Sequence, residues 1–157
     1  MQFLKELSMN HALFGAFSAW AIAEIVKITV NFIVAKEFDL KRIFGDGGMP
    51  SAHTATVVAL MIMSGYLAGF GSVSFAIASI FAIVVMKDAV GVRLETAKQA
   101  KSIKELADVV NKTSVDKNSK IRTENLKLLV GHTPLQVFFG ALLGLVIAIG
   151  AILIFEI

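Results

Sequence analysis

The sequence predicts an all-α integral membrane protein: four transmembrane helices in one bundle, plus an amphipathic helix on the cytoplasmic side, in a single domain over residues 1–157. Three observations predict it. Hydrophobic residues make up 56% of the 157-residue chain and charged residues only 17%, whereas a soluble domain carries about a quarter charged residues. The apolar residues fall into four runs, 12–35, 51–69, 73–92 and 134–155, each near the ~20 residues needed to cross a hydrocarbon core. The charges gather between these runs, and the mean hydropathy is +0.75.

The first run begins after Lys5 and Glu6 and carries Glu24 and Lys27, so it is too long and too polar for a removable signal peptide. The second follows Gly47-Gly48-Met49-Pro50, a glycine pair and a proline of the kind found at helix starts. Only Phe70-Gly71-Ser72 separates it from the third run, so these two helices form a tight antiparallel hairpin. Residues 94–110 show apolar positions at helical spacing with lysines between them, the pattern of a helix lying along the membrane interface. The polar stretch 111–123 reads as a mobile loop. The fourth run starts after Gly131-His132-Thr133-Pro134, with Thr133 a candidate N-cap. Gly65/Gly69 and Gly140/Gly144 are small-residue pairs that let helices approach closely, or simply glycines common in membranes.

Lysine and arginine set the topology. They crowd the loop 36–50, with Lys36, Lys41 and Arg42, and the segment from Arg93 to Lys127, while the terminal side holds only Lys5. The positive-inside rule then puts both loops in the cytoplasm and both termini outside. The net charge of +3 belongs to these membrane flanks; without aromatics interleaved among the basic residues it signals no nucleic-acid partner. With no cysteine, disulfides, thiolate catalysis and cysteine-ligated metal are excluded.

Several polar residues stand where a bilayer makes them costly. Glu24, Lys27 and Asn31 share one helical face, either as a structural ion pair or as part of a site. Asp88, in an apolar helix end flanked by Lys87 and Arg93, requires a partner. Two of the three histidines, His53 and His132, stand at the mouths of the second and fourth runs on the same predicted face; the third, His11, is given no role. A helix start offers unpaired N–H groups and a positive dipole end, which attract anions. His53 is either a helix-end residue of no further role or an acid or base working on such an anion. Two such starts with several cations suit a phosphoryl group, whose equatorial oxygens carry the negative charge. One imidazole attacks and the other protonates the leaving oxygen, both roles matched to a group that titrates near neutrality.

Pro50-Ser51-Ala52-His53, Asp88-Ala89-Val90-Gly91-Val92-Arg93 and Gly131-His132-Thr133-Pro134-Leu135-Gln136-Val137 together resemble the divergent small membrane branch of the type 2 phosphatidic acid phosphatase superfamily, which also contains vanadium haloperoxidases. The resemblance covers nearly the whole chain. It implies that His132 is the nucleophile that becomes phosphorylated and that His53 protonates the leaving group. It implies a phosphate-binding set of Lys27, Arg42, Ser51 and Arg93. Lys27 and Arg42 are spaced more widely than the family's lysine–arginine pair, and Arg93 lies far upstream of His132. Gln136 stands where the superfamily places an aspartate. An amide orients an imidazole but brings no negative charge, a duty that Asp88 is positioned in sequence to take over.

The resemblance therefore implies a membrane phosphatase acting on a lipid phosphate or pyrophosphate through a phosphohistidine, with no cofactor and no metal. The competing reading is a non-catalytic lipid-phosphate binder or transporter, motivated by Gln136 and by the Glu24/Lys27 pair. A vanadate-dependent oxidant is a third option, with no halide site marked in the sequence. The expected partners are the lipid bilayer and a phosphorylated lipid; a bundle this small also suits a homo-oligomer.

Overall fold

The computed structural model describes residues 2–35, 48–113, 121–123 and 131–155, and these are helical apart from turns and short connections. The elements are α1 (Gln2–Ser8), α2 (His11–Ala35), α3 (Ala52–Ala68), α4 (Val73–Val90), α5 (Val92–Thr113) and α6 (Pro134–Phe155). Arg42 and the rest of the first basic loop up to residue 47, like residues 114–120 of the second, lie outside the described residues.

The protein is a multi-pass membrane protein in a lipid bilayer environment. Among the described residues, three helical stretches are long and apolar enough to cross a membrane: His11–Ile33, the stretch beginning at Val73, and Pro134–Phe155. The 17-residue α3 is shorter, about 26 Å at 1.5 Å per residue. Large apolar side chains point outward, among them Phe17, Ile25, Ile77, Phe81, Phe138 and Leu153, each more than half exposed. Such a surface suits hydrocarbon rather than water.

The bundle is built around α3, which packs against α2, α4 and α6. Its core is made of small residues: Ala19 and Ala23 of α2, Ala52, Ala55 and Ala59 of α3, and Ala148 and Ala151 of α6 close around Met63. Lipid tails are as apolar as leucine, so close packing of small side chains and helix hydrogen bonds supply the cohesion. The tightest seam joins α3 to α6. A Cβ added at Gly140 would lie 2.5 Å from the Ser51 carbonyl oxygen, and one at Gly144 would strike the Ala55 carbonyl. Of the two small-residue pairs in the sequence, Gly140/Gly144 thus forms a helix seam. Gly65 instead lies under the rings of Phe70 and Phe75, and Gly69 faces open space at φ 90° as the α3 C-cap.

The α3–α4 hairpin forms as its short turn predicts. The Ser72 N–H donates to the Gly69 carbonyl at 3.0 Å, and the Ser72 hydroxyl caps α4 by accepting from the Phe75 N–H at 3.2 Å. α4 stops at Val90, two residues before the apolar run ends, because the chain breaks at Gly91 and restarts as α5. α5 carries lysines paired with acids, Lys98 with Glu95 at 2.6 Å and Lys101 with Glu105 at 3.9 Å, beside exposed Ile103, Leu106 and Val109. Part of the predicted loop is tied down: the Asn111 side chain both donates to the Ile121 carbonyl at 3.0 Å and accepts its N–H at 2.8 Å. α1 was not expected from the sequence. Asn10 caps the following helix by accepting the Leu13 N–H at 3.1 Å. The His11 and Phe14 rings meet Phe155 at 5.4 and 5.2 Å, so the start of α2 and the end of α6 share one end of the bundle.

Candidate phosphate site

The other end of the bundle holds the polar residues. Ser51 is the α3 N-cap, with extended backbone at φ −71° and ψ 112°. Its buried hydroxyl oxygen accepts from the Thr54 N–H at 3.3 Å and the Thr54 hydroxyl at 3.0 Å. Its own N–H donates to the Gln136 carbonyl at 3.1 Å, fixing the start of α3 against the start of α6. This places His53 in the first turn of α3, exposed. Ser51 is therefore a structural cap, fully buried behind the helix start.

The mouth of α6 is a capping box. The Thr133 hydroxyl accepts from the Gln136 N–H at 3.4 Å, and the Gln136 side-chain oxygen accepts from the Thr133 N–H at 2.9 Å. The pattern Thr133-x-x-Gln136 carries this signal in the sequence, and it gives Gln136 a structural duty independent of any ligand. Replacing Thr133 by alanine should cost about 1 kcal/mol, readable as a lower melting temperature in detergent; an unchanged midpoint would show the box to be dispensable.

His132 precedes the box and is 5% exposed. Its N–H donates to the Ala89 carbonyl at the end of α4, at 3.0 Å. Gly131 makes this approach possible. It has φ 82°, and a Cβ there would lie 2.5 Å from the Leu94 nitrogen and 2.7 Å from the Arg93 carbonyl carbon. The connection from α6 thus lies directly on the α4–α5 junction. Gly48, at φ 116°, plays a similar part on the other side, where the Lys27 stem passes so close that a Cβ would sit 2.8 Å from its Cδ. Both glycines stand beside conspicuous motif residues, yet only the fold shows what each must approach.

His53, Asp88, Arg93 and His132 line one cleft of about 230 Å³, with Val84, Val85 and Ala89 as its apolar wall. Arg93 Nε donates to Asp88 Oδ2 at 2.6 Å, so the partner that Asp88 requires is Arg93. Lys27 is buried beside the cleft, its ammonium 2.7 Å from Glu24 Oε2. Of the residues singled out in the sequence, the structure brings His53, His132, Asp88 and Arg93 to one cleft, with Gln136, Ser51 and Lys27 behind it.

Burial drives the His132 imidazole below the ordinary histidine value of 6.5, and the nearby charges of His53 and Lys27 push the same way. The Gln136 side chain and the Gly48 carbonyl, close to the ring, oppose this but do not reverse it. His132 Nδ1 is buried and makes no hydrogen bond among the described residues. In a nucleophile–base–acid arrangement this atom is the one a carboxylate would hold. The cleft therefore offers an unprotonated imidazole, a second exposed imidazole, a guanidinium and a nearby ammonium, an arrangement able to hold an anion and exchange a proton with it. Among the described residues no three histidines and acids gather as a metal site.

Comparison with known proteins shows the family. A family model described as the Divergent PAP2 family matches residues 8–147. The chain is 35% identical over 157 aligned residues to a protein of Bacillus subtilis (strain 168) named Uncharacterized membrane protein YuiD, covering 92% of this chain and 95% of that one. No solved structure matches.

Proposed function

Because the chain belongs to the divergent PAP2 family, we propose that it is a membrane phosphatase hydrolysing a lipid phosphate or pyrophosphate through a phosphohistidine. The observation that carries this reading is the meeting of His53 and His132 in one cleft with Arg93. A His132 nitrogen attacks phosphorus, and the P–O bond to the lipid breaks as His53, acting as general acid, gives a proton to the departing oxygen. Water then attacks phosphorus, the N–P bond breaks, and His53, now the base, takes the water's proton. Arg93 and Lys27 offset the charge on the equatorial oxygens, and the resemblance adds Arg42 to this cationic set. Asp88 fixes the Arg93 guanidinium. Gln136 orients the turn bearing His132.

In this reading the chain is one domain, α3 is the fourth crossing, the site faces the cytoplasm and both termini lie outside, a topology that the distribution of lysine and arginine supports. The amphipathic α5 then lies along the cytoplasmic interface, its lysines among anionic headgroups.

A specific observation favours a second reading, a non-catalytic lipid-phosphate binder or transporter. Gln136 stands where the superfamily places an aspartate, and Asp88 is engaged by Arg93, so no carboxylate holds His132 Nδ1 among the described residues. Proteoliposomes loaded separately with phosphatidate, phosphatidylglycerol phosphate and polyprenyl pyrophosphate separate the two. Release of inorganic phosphate supports the phosphatase; retention or movement of the lipid with no release supports the binder.

The acid limb of the pH–activity profile should lie below 6.5, because burial holds His132 unprotonated into mildly acidic solution. The same shift links to stability. The folded chain holds fewer protons at His132 than the unfolded one, so its contribution is complete above the ordinary histidine value and is lost as pH falls through the lowered one. An acid limb at or above 6.5 in kcat/KM would assign that titration to another group.

A further inference from the structure

A second cavity, of about 320 Å³, lies between α2 and α6. Val26 and Val30 of α2 and Phe139 and Val146 of α6 form its walls, and Met49 and Pro50 close one end. That end adjoins Gly48, against which the Lys27 stem packs and whose carbonyl lies near the His132 ring. From Phe139 to Val146 the groove runs about 10 Å along α6, away from the polar end and toward the middle of two helices that cross the bilayer. An apolar groove whose end adjoins the turn packed on the buried Lys27, and which descends to hydrocarbon depth, has the polarity sequence of an anionic lipid.

We propose that this groove seats one hydrocarbon chain of the lipid whose phosphate binds beside Lys27 and His132, a reading that rests on the phosphate site proposed above. The chain lies between α2 and α6, and the Gly48–Pro50 turn marks the boundary between headgroup and tail. Length of the hydrocarbon chain, rather than headgroup alone, then determines affinity. A phosphate ester with no chain occupies only the polar part of the site.

The test uses the full chain in phosphatidylcholine vesicles containing a phosphatidate with a diazirine midway along one acyl chain. After irradiation, peptide mapping should find label on the α2 and α6 segments that line the groove. Excess unlabelled phosphatidate should remove that label, and diacylglycerol or added phosphatidylcholine should not. Val30→Trp and Val146→Trp, which fill the groove from opposite walls, should each lower the label several-fold. Label that resists phosphatidate, or that neutral lipids displace equally, would mean bulk lipid contact and would overturn the proposal. Competed labelling without phosphate release would leave the chain seat standing and remove the phosphatase. Phosphate release without competed labelling would do the reverse.

Discussion

Replacing His132 by alanine should lower phosphate release from a lipid phosphate by about 10⁴-fold or more, the scale of losing a covalent nucleophile. His53→Ala should cost less, about 10²–10⁴-fold, the range for a general acid. The order follows from geometry. His132 is buried, its burial favours the neutral ring, and its Nδ1 has no partner among the described residues, whereas His53 is exposed on the first turn of α3, where water can in part replace its proton. A further readout distinguishes the roles. Enzyme given ³²P-labelled substrate and quenched in alkaline detergent should retain alkali-stable, acid-labile label in the His53→Ala protein and none in the His132→Ala protein. Equal turnover by wild type and His132→Ala would remove His132 as nucleophile.

The second large effect should come from a residue that touches no ligand. Gly131→Ala places a methyl group 2.5 Å from the Leu94 nitrogen, and neither atom belongs to a side chain that can turn away. It also asks an L-residue to hold φ 82°, at about 1–2 kcal/mol; with an overpacking cost of about 1–3 kcal/mol, the expected destabilisation is about 2–5 kcal/mol. For a chain of this length that is roughly 4–20 °C in melting temperature. The site should suffer with it. The His132 N–H to Ala89 carbonyl bond spans the same junction, so a displacement that relieves the clash should disturb the placing of His132 in the cleft it shares with Arg93. Thermal shift in detergent and phosphate release on the same preparation check both parts; a variant with wild-type values for each would show that the junction yields at little cost.

Much of this arrangement is legible in the sequence because membrane helices declare themselves by length and apolarity. The hairpin of α3 and α4, the start of α6 at Pro134 and the placing of His53 in a first helical turn all follow from local signals. α1 gives no such signal, being seven residues of mixed polarity. The end of α4 differs because hydropathy continues smoothly through Val92 while a glycine breaks the helix. Within the site, residue type was informative and partnership was not. Asp88 visibly needs a partner, but only the fold shows Arg93 there rather than His132. Ser51 reads as a motif residue, yet much of its hydrogen bonding goes to capping α3. Gln136 reads as a substituted acid, although the spacing from Thr133 also spells a capping box. Gly131 and Gly48 matter for what lies opposite them, which no local pattern encodes.

The glycine seam between α3 and α6 has a mechanical meaning. Gly140 and Gly144 meet the backbone at Ser51 and Ala55, with no side chain between them whose rotamers could absorb a shift. The joint behaves like a key in its slot. Sliding one helix along the other by even one residue would bring a larger side chain into a space that accepts only hydrogen. The axial offset between the two histidine-bearing helix ends is therefore set by main chain, and the spacing of the imidazoles is held as a property of the scaffold.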